Sequence, residues 1–212
     1  MAKGKLNQDI VLKALEWGYE NAVNGIPGFD SAYQLADNYN VKGGNPRKNV
    51  NALIRWQNTK SGTSGFLTGL GGILTMPVTI PVNLASVMYV QIRMIAAIAH
   101  IGGYDLKDDR VKSLVFACMA GNGAKDILKD VGVVIGKKMT TQAIKNISGK
   151  TITAINQKVG FRLLTKFGQK GAINLGKMVP IAGGIIGGVF DSVSTNVIGN
   201  IARNTFVEKH GS

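Results

Sequence analysis

Between Lys60 and Arg93 the chain carries no charged side chain, and the start of that run, SGTSGFLTGLGG, is crowded with glycine, serine and threonine. So long an uncharged stretch has to be taken out of water, into a protein core or against a bilayer, because apolar area gains about 25 cal/mol per Å² on burial. Pro77 and Pro81 interrupt it, since proline supplies no N–H to a helical ladder. The run therefore divides into a Gly-rich entry helix and a longer apolar helix. It exceeds the roughly 20 residues that cross a bilayer, but its glycines, threonines, prolines and Asn83 make it only moderately apolar. Arg93 and His100 then fall inside the second helix, where a bilayer would penalise them. The reading is a buried or membrane-apposed helical hairpin over residues 61–103 rather than a true span. Arg93 is the one full charge in 82–101, and Asp191 is the only acid between Asp130 and Glu208. They are expected to form a buried ion pair.

The rest of the chain reads as helices. Ile10, Val11, Ala14, Leu15, Gly18, Tyr19, Ala22 and Val23 recur at helical spacing over 6–24, and Asn24-Gly25 stops the run. Asp30 or Ser31 caps a short helix reaching about Tyr39. Asn45-Pro46 opens another, with Val50, Leu53, Ile54 and Gln57 on one side, ending near Thr59. Asp105 is expected to cap a helix with Val111, Leu114, Val115, Cys118 and Met119 on its apolar face, and residues 123–138 to form a further one. No strand-like alternation persists anywhere. The expected fold is one all-α domain over 1–212, with an ordered core at about 6–207, a tail at 208–212, Gly-rich helical hairpins and no sheet.

Charge is placed unevenly. The formal net charge of the 212 residues is +13, and no acid occurs between Asp130 and Asp191. Within that basic segment, which includes Lys137 and Lys138, Lys158, Arg162, Lys166 and Lys170 follow one another at intervals of four. Ile155, Val159, Leu163 and Phe167 do the same. One helix thus carries an apolar edge beside a basic edge. That pattern suits a helix on an anionic lipid surface, and equally a core-packed helix with a basic outer face. Towards the C-terminus, Gly183, Gly184, Gly187 and Gly188 interlock two spacings that admit a close neighbouring helix. The partner proposed for Gly184 and Gly188 is the entry helix around Gly69 and Gly72.

Catalytic chemistry finds no support. Gly149-Lys150-Thr151 imitates the end of a phosphate-binding loop, but that motif needs glycine where Ile144 stands. Gly121-Asn122-Gly123 lacks the third glycine of a dinucleotide loop. His100 and His210 cannot frame a metal site. Cys118 is the sole cysteine and sits in an apolar helix, so it reads as a buried thiol. No catalytic residue, metal or cofactor is assigned, and no small-molecule substrate is evident. The N-terminal MAKGKLNQDI has no apolar run, so no secretory signal is expected.

The entry SGFLTGLGG, the prolines Pro77 and Pro81, the turn IGGYDLKDD and the tail MVPIAGGIIGGVFDSVSTNVIGNIARNTF together resemble the EcsC family, from about residue 10 to Phe206. The resemblance implies a helical bacterial cytoplasmic protein, linked by name to an ABC-transporter gene cluster. It implies no biochemical activity and no catalytic residues. The expected function is non-enzymatic docking on an anionic lipid surface or a membrane protein, peripheral to the membrane, through Lys137, Lys138, Lys158, Arg162, Lys166 and Lys170. The alternative is a membrane-inserting or permeabilising protein. A nucleic-acid backbone binder is a further alternative, disfavoured because aromatics are only 7 % and do not interleave with the basic stripe.

Overall fold

The computed structural model describes residues 6–40, 44–61, 82–133, 139–174 and 185–207; within these, the side chains of 59–61, 82–84, 168–174 and 185–193 are not described. The described residues form nine α-helices and no sheet: α1 (Gln8–Asn24), α2 (Ala32–Asp37), α3 (Pro46–Ser61), α4 (Val82–Ile101), α5 (Asp109–Met119), α6 (Ala124–Asp130), α7 (Thr141–Lys145), α8 (Gly149–Asn174) and α9 (Ile185–Phe206). The all-α expectation holds.

Local chemistry sets the helix ends. Asn7 caps α1 by accepting the Ile10 N–H at 2.9 Å. Ser31 and Gln34 form a reciprocal capping box at the start of α2. The Asn45 side chain accepts from the Arg47 and Lys48 N–H groups, as the Asn-Pro signal predicts. The expected cap at Asp105 is three residues early: Asp108 caps α5, accepting the Arg110 N–H at 2.8 Å. Asp105 instead accepts the Lys107 N–H in the preceding turn. The reason lies in Tyr104 and Leu106, both buried. The Leu106 carbonyl accepts the Tyr19 hydroxyl at 2.8 Å, which ties the loop to α1 and delays the helix. The helix expected over 123–138 is also shorter. A Schellman closure ends α6, with Gly132 at φ +78 and the Val133 N–H on the Leu128 carbonyl at 2.8 Å.

The core is built along α4. From Met88 to Ala99 every side chain of this helix is buried, and it is flanked by α1, α2, α3, α5 and α9. A fully buried aliphatic side chain contributes about 1.5–3 kcal/mol, so Met88, Ile92, Ile95 and Ile98 form the centre of the packing. The second helix of the central stretch is therefore buried in protein. Among the described residues no helix is long and apolar enough to cross a membrane. Two glycines set close helix contacts: a Cβ on Gly18 of α1 would lie 3.0 Å from Ile92 Cδ1, and one on Gly199 of α9 would lie 2.8 Å from Ile54 Cγ1 of α3. On the other side of α1 lies α8, which also contacts α5 and α6.

Candidate functional site

The apolar edge read from α8 is core. Ile155, Val159 and Leu163 are buried, and Phe167 packs against them half-buried. The basic edge stays outside, but its members part company. Rows at i, i+4 wind about 40° around a helix per step, so neighbours in the row face different surroundings. Lys158 Nζ is 2.9 Å from Asp130 Oδ2 at the end of α6. Arg162 is exposed, and its guanidinium lies over Gly123, where a Cβ would come within 3.1 Å of Nε. Lys166 bends towards α9 and donates to Ser194 Oγ at 3.2 Å, with Nζ 5.6 Å from the Phe167 ring centroid. The side chain of Lys170, and Lys137 and Lys138, lie outside the described residues.

Phe161 stands between Lys158 and Arg162 and is 64 % exposed, more than Trp56 at 47 %. It lines an open groove of about 810 Å³ between α1, α6 and α8, together with Leu12, Asp9, Asp126, Asp130 and Arg162. The floor comes from close approach of α8 to α1: a Cβ on Gly160 would lie 2.9 Å from Leu12 Cδ2, and Gln8 Nε2 donates to the Gln157 carbonyl at 2.9 Å. One wall is acidic, the other basic and aromatic. The sequence signal for Phe161 is that it sits off the apolar period, two residues beyond Val159 on the charged side. The acidic wall comes from α1 and α6, distant in sequence, and no motif announces it.

Of the expected Arg93–Asp191 pair, the Asp191 side chain lies outside the described residues. Arg93 itself is 4 % exposed, donates to the Asp30 carbonyl at 3.0 Å, and holds its guanidinium carbon 5.6 Å from the Tyr89 ring centroid. Gly69, Gly72 and Gly184 also lie outside, as does the packing around Gly188. Burial raises the Cys118 thiol to about 12, with only partial relief from Thr205, whose hydroxyl is 3.9 Å away. A thiol so held is not a nucleophile at neutral pH. His100 packs edge-on to Tyr33 with ring centroids 4.9 Å apart. Among the described residues no group of three His, Cys, Asp or Glu could hold a metal ion.

The class defined so far is an all-α bundle around one buried helix, with a basic, partly aromatic outer helix. A family model, the EcsC protein family, matches residues 20–208. The chain belongs to the EcsC family. No curated protein and no solved structure matches it.

Proposed function

We propose that this EcsC-family protein acts without catalysis, as a peripheral module that docks on an anionic lipid surface through the outer face of α8. The observation that carries the reading is Phe161, an exposed aromatic ring between two cations on a helix whose inner face is already committed to the core. An aromatic ring at headgroup depth beside Lys or Arg is the pattern of an interfacial helix. Each cation near an anionic leaflet contributes on the order of 1 kcal/mol. Arg162, with Lys145 and Lys150 exposed towards the start of the same segment, supplies the positive charge, opposed across the groove by Asp9, Asp126 and Asp130. The anionic leaflet of a bacterial cytoplasmic membrane is the surface such a face suits.

Co-sedimentation with vesicles tests this. Binding is expected to vesicles rich in phosphatidylserine or phosphatidylglycerol and not to neutral phosphatidylcholine, falling as salt shortens the Debye length from about 10 Å at 0.1 M. Phe161→Ser and Arg162→Glu should each weaken binding while leaving the helical circular dichroism intact. Equal binding of both variants and wild type would overturn the reading. Release of an entrapped dye would favour a permeabilising protein instead, and retention on duplex DNA at matched salt a phosphate-backbone binder.

A further inference from the structure

Where the first turn of α3 meets the last turn of α9, Arg47 and Arg203 stand close together. Neither has a carboxylate partner among the described residues. Arg47 Nη2 donates to the Asn204 side-chain oxygen at 3.2 Å, and Arg203 Nη1 donates to the Asn51 side-chain oxygen. Arg47 Nη1 and Arg203 Nε are shielded from solvent and have no hydrogen-bond partner among the described residues. Each arginine thus spends one N–H on a neutral amide and has another closed off from solvent, so the donors left to meet a ligand are the remaining N–H groups of each guanidinium. These crossed bonds, from Arg47 to the residue beside Arg203 and from Arg203 to a residue one turn after Arg47, bring the two arginines together, and burial, followed by the charge of Arg47, lowers the pKa of Arg203. The start of α3 adds to the field. Arg47 and Lys48 occupy its first turn with no acid there, although the positive end of a helix dipole favours anions.

Two like charges held together, partly desolvated and short of hydrogen-bond acceptors, make an arrangement that an oxyanion completes. Guanidinium presents a planar fork that matches phosphate oxygens. With their oxygens facing the arginines, Asn51 and Asn204 retain amide N–H groups as further donors. We infer that Arg47 and Arg203, flanked by Asn51 and Asn204, form a binding site for a phosphate group, carried by a soluble phosphomonoester or by a lipid headgroup. This site is separate from the outer face of α8 and does not depend on that face binding membranes.

The first arm of the test uses inorganic phosphate and glycerol 3-phosphate, followed by calorimetry and by the shift in Tm against each variant's own phosphate-free value. Saturable binding is expected. Loss of one charge-assisted pair should weaken it about tenfold or more, in Arg47→Gln and in Arg203→Gln alike. Lys125→Gln, an exposed lysine on α6, should leave it unchanged. Arg47→Lys and Arg203→Lys keep the charge but not the fork; they serve where a glutamine variant does not fold, and an intermediate loss is expected. The second arm uses vesicles containing phosphatidic acid, with the α8 variant Arg162→Glu as background. Selective loss of those vesicles in the Arg47→Gln, Arg203→Gln double variant identifies the headgroup as the source, whereas soluble phosphate binding without vesicle discrimination identifies a free phosphomonoester. No saturable phosphate binding, or binding that the arginine variants leave unchanged, overturns the site.

Discussion

Arg93, in the middle of the buried helix α4, donates to the main-chain carbonyl of Asp30 at 3.0 Å, not to a described carboxylate. Its charge sits against the face of Tyr89, and burial raises the Tyr89 hydroxyl pKa even though Arg93 pulls the other way. Arg93→Ala removes a donor, strands a carbonyl and opens a cavity, with an expected loss of about 3 kcal/mol. Asp30→Ala keeps the carbonyl and should cost less than about 1 kcal/mol. Urea unfolding of both variants checks the contrast; equal losses would mean that the Asp30 carboxylate, not its main chain, is the partner.

Two adjacent glycines after α4 should answer differently to alanine. A Cβ on Gly102 would overlap the Phe206 carbonyl oxygen at the end of α9, a backbone atom that cannot step aside. Gly103 has open space but a φ of +86. Gly102→Ala is expected to cost about 2 kcal/mol or more through overpacking, and Gly103→Ala about 1 kcal/mol through backbone conformation alone. Calorimetric Tm values order the two, and the reverse order would refute the close approach.

Alkaline pH should destabilise the fold through groups that folding keeps protonated. Burial raises Cys118 from 9.0 to about 12 and pushes the Tyr19 hydroxyl above its usual 10.0. The unfolded chain releases these protons first, so their contribution is intact below about pH 8 and is lost as pH rises beyond about 9. Each group gives a slope of up to about 1.4 kcal/mol per pH unit. Cys118→Ala should flatten unfolding free energies measured between about pH 9 and 10, and Tyr19→Phe those above about pH 10. Parallel pH profiles in wild type and variants would contradict this.

Asp130 should act as a brake on the outer face of α8. It holds Lys158 in an ion pair exposed enough to add only about 0–1 kcal/mol to stability. Asp130→Asn therefore leaves Tm nearly unchanged while freeing one cation. Affinity for anionic vesicles should rise by up to about fivefold, the equivalent of one added Lys. Unaltered affinity would mean that α8 does not face the lipid.

The helical architecture was legible because periodicity is local. Val50, Leu53, Ile54 and Gln57 are all buried along α3, as their spacing requires, and Asn45-Pro46 marks its start. Cap choice was less legible where several acids compete: Asp105, Asp108 and Asp109 are locally similar, and the decision falls to Leu106, held by Tyr19 from another helix. The apolar stripe of α8 could be read as core or as lipid-facing, and only the presence of α1 and α5 against it decides for core. The groove at Phe161 and the Arg47–Arg203 pair were not legible. Each joins elements far apart in sequence, and neither has a spacing rule. The close glycines followed the same pattern: the Gly-rich runs drew attention, while single glycines such as Gly18 and Gly199 set the described contacts.

The order in which helices surround α4 bears on how the chain is made. Gln8 of α1 bonds to Gln157 of α8, and Asn51 of α3 bonds to Arg203 of α9, so early helices are matched with late ones. A ribosome adds roughly 5–20 residues per second, and the hundred or so residues from Ile101 to Phe206 take on the order of 5–20 s to emerge. Throughout that interval α4 is already synthesised while α9, one of its covering helices, is not. The nascent chain thus holds the most apolar of its described helices without part of its cover until α9 is made. Completion of the core waits for α9, and a chain cut short before it leaves faces of both α3 and α4 uncovered.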